Sequence, residues 1–319
     1  MASFSDVWKI ANAICDRYER MSIELIAAPV VEPVTLAEAK LQLGFGPMED
    51  SDHLANRILA DKLRSFIATA RQVVEDQYCH SVFITQTWLL RLDGFPGSNW
   101  SYERGGYAQI DLPKPPFQSL QFLRYIDTAG AVQPLTIDTT SGVNAANPQY
   151  GYQLGSRGNE TQPARIMPPF ARPWPPTRMV PSNVMAQFRC GYGGPLTVSV
   201  NAGSALVTVQ GGYTFNPLDG ALLAADPGMR VSIPGAGAAG ATLNTNIASV
   251  DVTGNATLRD AATTSVVNVT GWFGNPVPKP ITTAIKFLVE HYYDHGGCED
   301  AVEPRAIRNL LGPYWNGLS

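Results

Sequence analysis

Between Pro195 and Asn275 the chain carries six charged residues, Asp219, Asp226, Arg230, Asp251, Arg259 and Asp260, and no Lys, Glu, His or Cys. Val, Thr, Gly and Ala fill the stretch in short alternating runs: "LTVSV", "ALVTV", "MRVSI", "NIASVDV" and "SVVNV", parted by turns such as "NAGS" and "VTGN". Alternation at period two with β-branched residues is a strand signature, and several such runs at close spacing predict a small all-β domain. The remaining residues, on either side of this stretch, have to build a separate core.

On the N-terminal side the period is helical. In "PVTLAEAKLQL", Thr35 followed by Glu38 forms a capping box, so a short helix starts at Leu36 and stops near Gly44. From about Asp52 to Tyr78, apolar residues recur every three and four positions (Leu59, Leu63, Phe66, Ile67, Ala70, Val74), which predicts a long amphipathic helix. The period then drops to two in "SVFITQTWLLRL", where Val82, Ile84, Gln86, Trp88, Leu90 and Leu92 share a strand face. Further strands are expected at 107–112, 118–126, 131–137 and in "SNVMAQFRCGYG", with Asp127 and Gly130 at the ends of a turn. The run "MPPFARPWPPTRMVP" lacks donors and has fixed φ values, so it reads as an extended arm. After "NPVPKP" breaks the chain, "ITTAIKFLVEHYYDHGG" is a helix ended by Gly296, and a final helix is expected near 303–311.

Three local patterns invite a chemical reading. Gly235, Gly237 and Gly240 have G-x-G-x-x-G spacing, but Pro234 precedes them and a period-two run follows, where a dinucleotide site needs a strand before and a helix after. A turn in a small barrel or sandwich is the better reading. His291, His295 and Cys298 lie close together, yet no second ligand cluster stands out and position 292 is Tyr where H-E-x-x-H needs Glu. The histidines more simply edge a packed face, and Phe287, Tyr292 and Tyr293 read as core or as a subunit contact. No G-x-S-x-G occurs, the other histidines are His53 and His80, and the carboxylates form no recognisable pair, so neither catalysis nor a cofactor is expected.

The bulk properties narrow the partners. A net charge of −4 over 319 residues gives no basic surface for gripping nucleic acid in a sequence-specific way. No run approaches the roughly 18 apolar residues of a membrane span, so no membrane partner is expected. Residues 1–20 read as a short amphipathic helix with Phe4, Val7, Trp8, Ala11, Ile14 and Cys15 on one side, not as a secretory signal. Cys15, Cys79, Cys190 and Cys298 are far apart with no C-x-x-C pair, which predicts reduced, buried thiols.

Six segments in order carry a resemblance: "IAAPVVEPVTLAEAKLQLGF", the long helix after it, "SVFITQTWLLRLDGFP", "IDLPKPPFQSLQFLRYID", "FRCGYG" and "NPVPKPITTAIKFLVEHYYDH". Together they resemble the head–tail connector (adaptor) proteins of tailed bacteriophages and related gene-transfer particles, and "AIRNLLGPYW" resembles that family's terminal helix and tail. The likeness spans residues 25–193 and 275–315. It implies an α+β fold, with a helical connector core and an antiparallel β section, interrupted by an inserted small all-β domain. The division that follows is an N-terminal extension at 1–20, a connector core at 21–194 and 275–303, the β domain at 195–274 and a C-terminal arm at 304–319. The inserted stretch is itself similar to a β module of phage tail-fibre and tailspike proteins.

The resemblance also implies a function. Family members form rings, usually twelvefold, between the portal and the stopper, tail-completion or tail-tube proteins, with DNA passing through the lumen. The expected location is therefore the virion neck, reached from the host cytoplasm during assembly. A mildly acidic chain suits such a conduit, because each Lys/Arg–phosphate contact would hold the genome in place. The C-terminal arm is expected to contact the portal through Pro304, Ile307, Leu310, Leu311, Tyr314 and Trp315. The β domain is expected on the outside of the ring. The alternative reading, from the β module alone, is a tail-associated receptor- or glycan-binding protein.

Overall fold

The computed structural model describes residues 21–45, 54–96, 109–136, 151–156, 161–169, 172–210, 229–251, 255–295 and 305–315. The α+β class expected from the sequence is observed, with antiparallel sheets, a closed barrel and four α-helices among the described residues. The N-terminal extension, the strand positions 107, 108 and 137, the helix positions 52 and 53, Gly296, Cys298 and Pro304 lie outside them.

Helix α1 (Leu36–Gln42) forms as its capping box requires. The Glu38 N–H donates to Thr35 Oγ1 at 3.2 Å, and the Thr35 N–H donates back to Glu38 Oε2 at 2.9 Å. The Thr35 N–H foremost, and then the Thr35 hydroxyl that also donates to Glu38 Oε2 at 2.9 Å, hold the Glu38 carboxyl below its usual range. At the other end Gly44 takes φ +73°, so that its N–H reaches Leu41 O and the Phe45 N–H reaches Lys40 O. This is a Schellman closure, which a residue with a Cβ would strain.

Helix α2 (Leu54–Val73) continues into a π-helical turn, Val74–Cys79, where the sequence pattern predicts plain helix to Tyr78. His80 ends it in the left-handed region at φ 49°. Leu63, Ile67, Ala70 and Val74 form the buried stripe. They pack against Ile281, Ala284, Ile285, Leu288 and Val289 of helix α3 (Lys279–His295), together with Phe83 and Tyr192. Helix α4 (Arg305–Leu311) adds Ile307 and Leu311 to the same cluster. Each of the larger aliphatic and phenyl side chains here contributes roughly 1.5–3 kcal/mol when fully buried.

The main sheet has five antiparallel strands: β1 (Met21–Ala27), β2 (Gln86–Leu92), β4 (Phe117–Ile126), β5 (Val132–Leu135) and β8 (Val184–Cys190), in the order β1-β2-β8-β4-β5. A three-stranded sheet, β3 (Ile110–Leu112), β6 (Gln153–Ser156) and β7 (Ala164–Met167), is ordered β3-β7-β6. Between these sheets lies a second core containing Leu90, Leu123, Ile166, Ala186 and Phe188. In register, Trp88 faces Phe188, Leu90 faces Ala186 and Leu92 faces Val184, so the predicted alternation of β2 is the face turned to this core.

The third core is a closed barrel of strands β9 (Gly193–Val200), β10 (Leu206–Val209), β11 (Arg230–Ile233), β12 (Leu243–Val250), β13 (Ala256–Leu258) and β14 (Val266–Gly274). Val198, Val231, Ile233, Ile247, Leu258 and Phe273 are among its buried residues. The barrel begins and ends at one place, because Gly193 pairs with Gly274 across β9 and β14. Only glycine fits there. A Cβ on Gly193 would lie 2.6 Å from Phe273 O, and one on Gly274 would lie 2.4 Å from Tyr192 O.

The three cores meet at residues 82–85. Val82 belongs to the sheet core and Phe83 to the helical core. The Thr85 N–H donates to Gly193 O at 2.9 Å, at the root of the barrel. This segment is anchored by a buried ionic node: Glu75 Oε1 accepts the Phe83 N–H at 2.8 Å, and Glu75 Oε2 accepts from Arg71. Arg71 Nε also donates to Glu32 Oε2 at 2.8 Å, tying in the strap before α1. Burial pushes the Glu75 carboxyl above its usual range despite the Arg71 charge beside it. Arg71 and Glu75 are almost wholly buried, so removing one partner strands the other. Arg71→Leu is expected to lower the unfolding free energy by about 3–5 kcal/mol. The exposed Asp61–Arg64 pair sets the contrast, and Asp61→Asn is expected to cost no more than about 1 kcal/mol, both read from urea midpoints.

Cys79 and Cys190 are free and buried. Burial, with a smaller push from the Glu75 carboxylate, raises the Cys79 thiol to about 12, and burial raises Cys190 well above the ordinary range. Neither is a nucleophile at neutral pH. In a Cys15→Ser/Cys298→Ser variant, both thiols are expected to stay unreactive to an aromatic disulfide reagent at pH 8 until denaturant unfolds the chain. Reaction in the native state would contradict this burial.

Candidate interaction surfaces

The spacing that suggested a phosphate cradle is a hairpin turn. Gly235, Gly237 and Gly240 lie between β11 and β12, which pair antiparallel. Two of their amides are already used: the Gly237 N–H donates to Ala241 O at 2.8 Å, and the Gly240 N–H donates to Gly237 O at 3.2 Å. Thr264 Oγ1 donates to Gly237 O at 2.9 Å, fixing the turn against the start of β14. A single 3-10 turn, Ala238–Gly240, leads into strand β12, so no α-helix N-terminus faces the glycines.

His291 and His295 lie ring against ring at the end of α3, tilted by 37° with centroids 4.5 Å apart. His295 Nδ1 lies 3.0 Å from the His291 carbonyl oxygen, to which it donates. That bond commits one ring nitrogen to the backbone. No group of three or more His, Cys, Asp or Glu residues is placed to hold a metal among the described residues. Phe66 packs on Tyr292, and Phe45 meets the Tyr293 ring edge-on at 5.7 Å. Lys62 Nζ sits 5.4 Å from the Phe66 centroid and 5.6 Å from that of Tyr293. The α3 aromatics are thus engaged within this chain.

The C-terminal residues divide in two. Ile307 and Leu311 are buried under α2 and α3, while Leu310 and Tyr314 pack partly against the same cluster. They are occupied by the chain's own core and offer little to a partner. Trp315 differs, with about half its surface exposed directly after the turn Gly312–Tyr314. Pro304 lies outside the described residues. Within the expected portal-facing set, Trp315 is the large apolar side chain left for contact.

Two further exposed apolar groups occur around the five-stranded sheet, and the sequence reading missed both. On the β1 end, Leu25 and Ile26 are each nearly half exposed and Val30 is 81% exposed. Elsewhere, Val132 on β5 is 55% exposed, and Met179, in the turn after Thr177, is 99% exposed. Met179 sits in a well-fixed turn. The Arg178 N–H donates to Ile126 O at 3.1 Å, the Asn183 side-chain amide donates to Arg178 O at 2.5 Å, and the Ser182 N–H donates to Asp93 Oδ1 at 2.7 Å. The signal was available at Met179: a methionine inside a proline-rich surface run has no apolar periodicity to assign it to a core.

No protein-family profile matches the chain, and no curated protein does. Among solved structures, the chain is similar to one in the virion of a native gene transfer agent particle, at 13% identity and a TM-score of 0.46, covering 92% of this chain and 95% of that one. A chain in the neck of an empty gene transfer agent particle, computed with C6 symmetry, gives 15% identity and 0.45, covering 92% and 95%. One in the neck of a native particle, computed with C12 symmetry, gives 15% and 0.40, covering 92% and 96%.

Proposed function

We propose that this chain is a structural subunit of a ring in the neck of a tailed phage or gene-transfer particle, seated between the portal and the stopper or tail proteins, with DNA passing through the lumen. The observation that carries the reading is how the adaptor-like segments are used. The six segments run through α1, α2, β2, β3–β4, the end of β8 and α3, and they form most of the helical core and the strands β2, β3 and β4. The stretch that interrupts them closes into its own barrel, whose first and last strands leave side by side at Gly193 and Gly274. An element with adjacent ends is added to a host without parting the host's own contacts.

Other features support the same role. A net charge of −4 provides no grip on the passing phosphates. Three apolar cores joined at residues 82–85 give a stiff block suited to a closed ring. The ring is twelvefold, as in the resembled family, and closes by rotation through heterologous contacts. Trp315 faces the portal, since an exposed Trp beside a packed terminus is buried by a partner. The barrel lies on the outside of the ring, where an extra domain per subunit does not block the lumen.

Negative-stain microscopy of the purified protein tests the reading. Rings with a central hole are expected, whereas elongated trimers would favour a tail-fibre role and a compact monomer would overturn both. Deleting residues 195–274 and joining the ends is expected to leave the rings intact. Trp315→Ala is expected to abolish co-purification with the portal while changing neither ring formation nor melting temperature.

A further inference from the structure

We infer that residues 1–20 fold back as an amphipathic helix and cover an exposed apolar strip, residues 25–31, of the same chain. The inference concerns a single subunit and holds with or without the ring reading. The strip is "LIAAPVV", a run without a charged or polar side chain in which every residue but Pro29 is exposed. Val30 is 81% exposed, Ile26 47% and Leu25 43%. Single exposed apolar side chains are ordinary, whereas an uninterrupted run of them on a strand edge marks a surface that something covers. β1 is a terminal strand of its sheet and pairs, among the described residues, with β2 alone. Laying a helix over such an edge is one of the ways proteins protect it.

The chemistry of the strip selects its occupant. The carboxylates that flank it in sequence are already paired, Glu24 with Arg91 at 3.1 Å and Glu32 with Arg71 at 2.8 Å. Charge therefore gives an occupant little to hold, and the contact has to be apolar. Residues 1–20 supply such a surface: Phe4, Val7, Trp8, Ala11, Ile14 and Cys15 recur every three and four positions, as one stripe of a helix. Their polar side balances Asp6, Asp16 and Glu19 against Lys9, Arg17 and Arg20. The segment thus lacks the basic face by which amphipathic helices bind anionic membranes.

Length and attachment fit the same placement. The segment runs straight into Met21, the first residue of β1. A helix from Phe4 to Cys15 is about 17 Å long, and β1 spans about 20 Å from Met21 to Ala27. Residues 16–20 are enough for the turn between them, since such connections commonly take about two to six residues. Laid back antiparallel on β1, the helix brings Phe4 and Trp8 to Ile26 and Val30, and Ile14 to Met21. So short a tether gives the segment an effective concentration on the order of millimolar at the strip, which an outside partner has to exceed. Strand addition by a second copy is disfavoured, because the register shift between Leu25 and Ala27 interrupts the edge and Pro29 has no N–H.

Cross-linking within one chain tests the placement. In a Cys15→Ala/Cys298→Ala background, Val7→Cys/Val30→Cys is compared with Asp16→Cys/Val30→Cys, using a short flexible bis-maleimide and correcting each for the reactivity of its single-cysteine parents. A loose tail would favour position 16, which is nearer to Val30 along the chain. The docked helix reverses that order, because position 16 then lies beside Met21. The 7–30 link is expected to form about tenfold faster than the 16–30 link, and within monomers on a denaturing gel. An equal or opposite order would overturn the inference, and links between chains would give the strip to another copy and overturn it as well. Trp8→Asp and Ile26→Asp are each expected to erase the 7–30 preference, and Trp8→Asp to increase binding of an apolar dye by the uncovered strip. Leu41→Asp, at a 75% exposed position of α1, is expected to change neither readout. Equal losses from all three variants, or none from Trp8→Asp, would count against the contact. Binding of the unsubstituted chain to phosphatidylglycerol vesicles, with loss of the 7–30 link on addition of those vesicles, would assign the segment to a membrane and overturn the inference.

Discussion

The carboxylate of Glu75 is the point on which the three parts of the molecule depend. It is buried, it accepts the Phe83 N–H, and it is neutralised by an Arg71 that also reaches Glu32. A charge in that position is costly unless every lone pair is used. The two oxygens are therefore committed to specific donors, and the donors fix the start of the segment that leads into β2. From there the backbone passes its order onward: Tyr192 N–H to Phe83 O at 3.1 Å, Thr85 N–H to Gly193 O, and Asn275 N–H to Tyr192 O at 2.8 Å. Helices, sheets and barrel share one short junction.

This junction explains why the sequence shows three compositions yet the molecule has connected cores. Val82 enters the sheet core and its neighbour Phe83 the helical core. At the next residue, the Ile84–Gly193 bridge touches the first residue of the barrel. The close backbone approach at Gly191, Gly193 and Gly274 leaves no room for a side chain, and the glycines follow from that crowding. The tight joining of a helical block to a barrel costs side-chain packing at the seam and is offset by the hydrogen bonds just named.

Much of this was legible beforehand, and the parts that were not have physical reasons. Thr35 and Glu38 announced α1 because a capping box is a local interaction. The alternation through Trp88, Leu90 and Leu92 announced β2 because one of its faces is turned to a core. β1 escaped notice because most of it is exposed, so burial imposes no alternation on it. β6, β7 and β13 are only three or four residues long, and no alternating run of β-branched residues marks them as it marks β10 and β11. Arg71 and Glu75, four apart on a helix, look like a surface ion pair until tertiary structure buries them. The apolar stripe of Ile307, Leu310, Leu311 and Tyr314 correctly signalled a helix that covers something. Periodicity does not state whose surface is covered, and here it is largely the chain's own.

The side-by-side departure of β9 and β14 has a mechanical meaning. A force drawing the barrel away from the body runs along two hydrogen-bonded strands at once, from Gly193 and Gly274, and not down a single linker. Such a tether is stiff against pulling and twisting, and it delivers the load to Thr85 and Tyr192, both bonded across the seam. Anything that seized the barrel from outside would tug directly on the centre of the subunit, and the barrel would behave less like a dangling ornament than like a lever bolted to its frame.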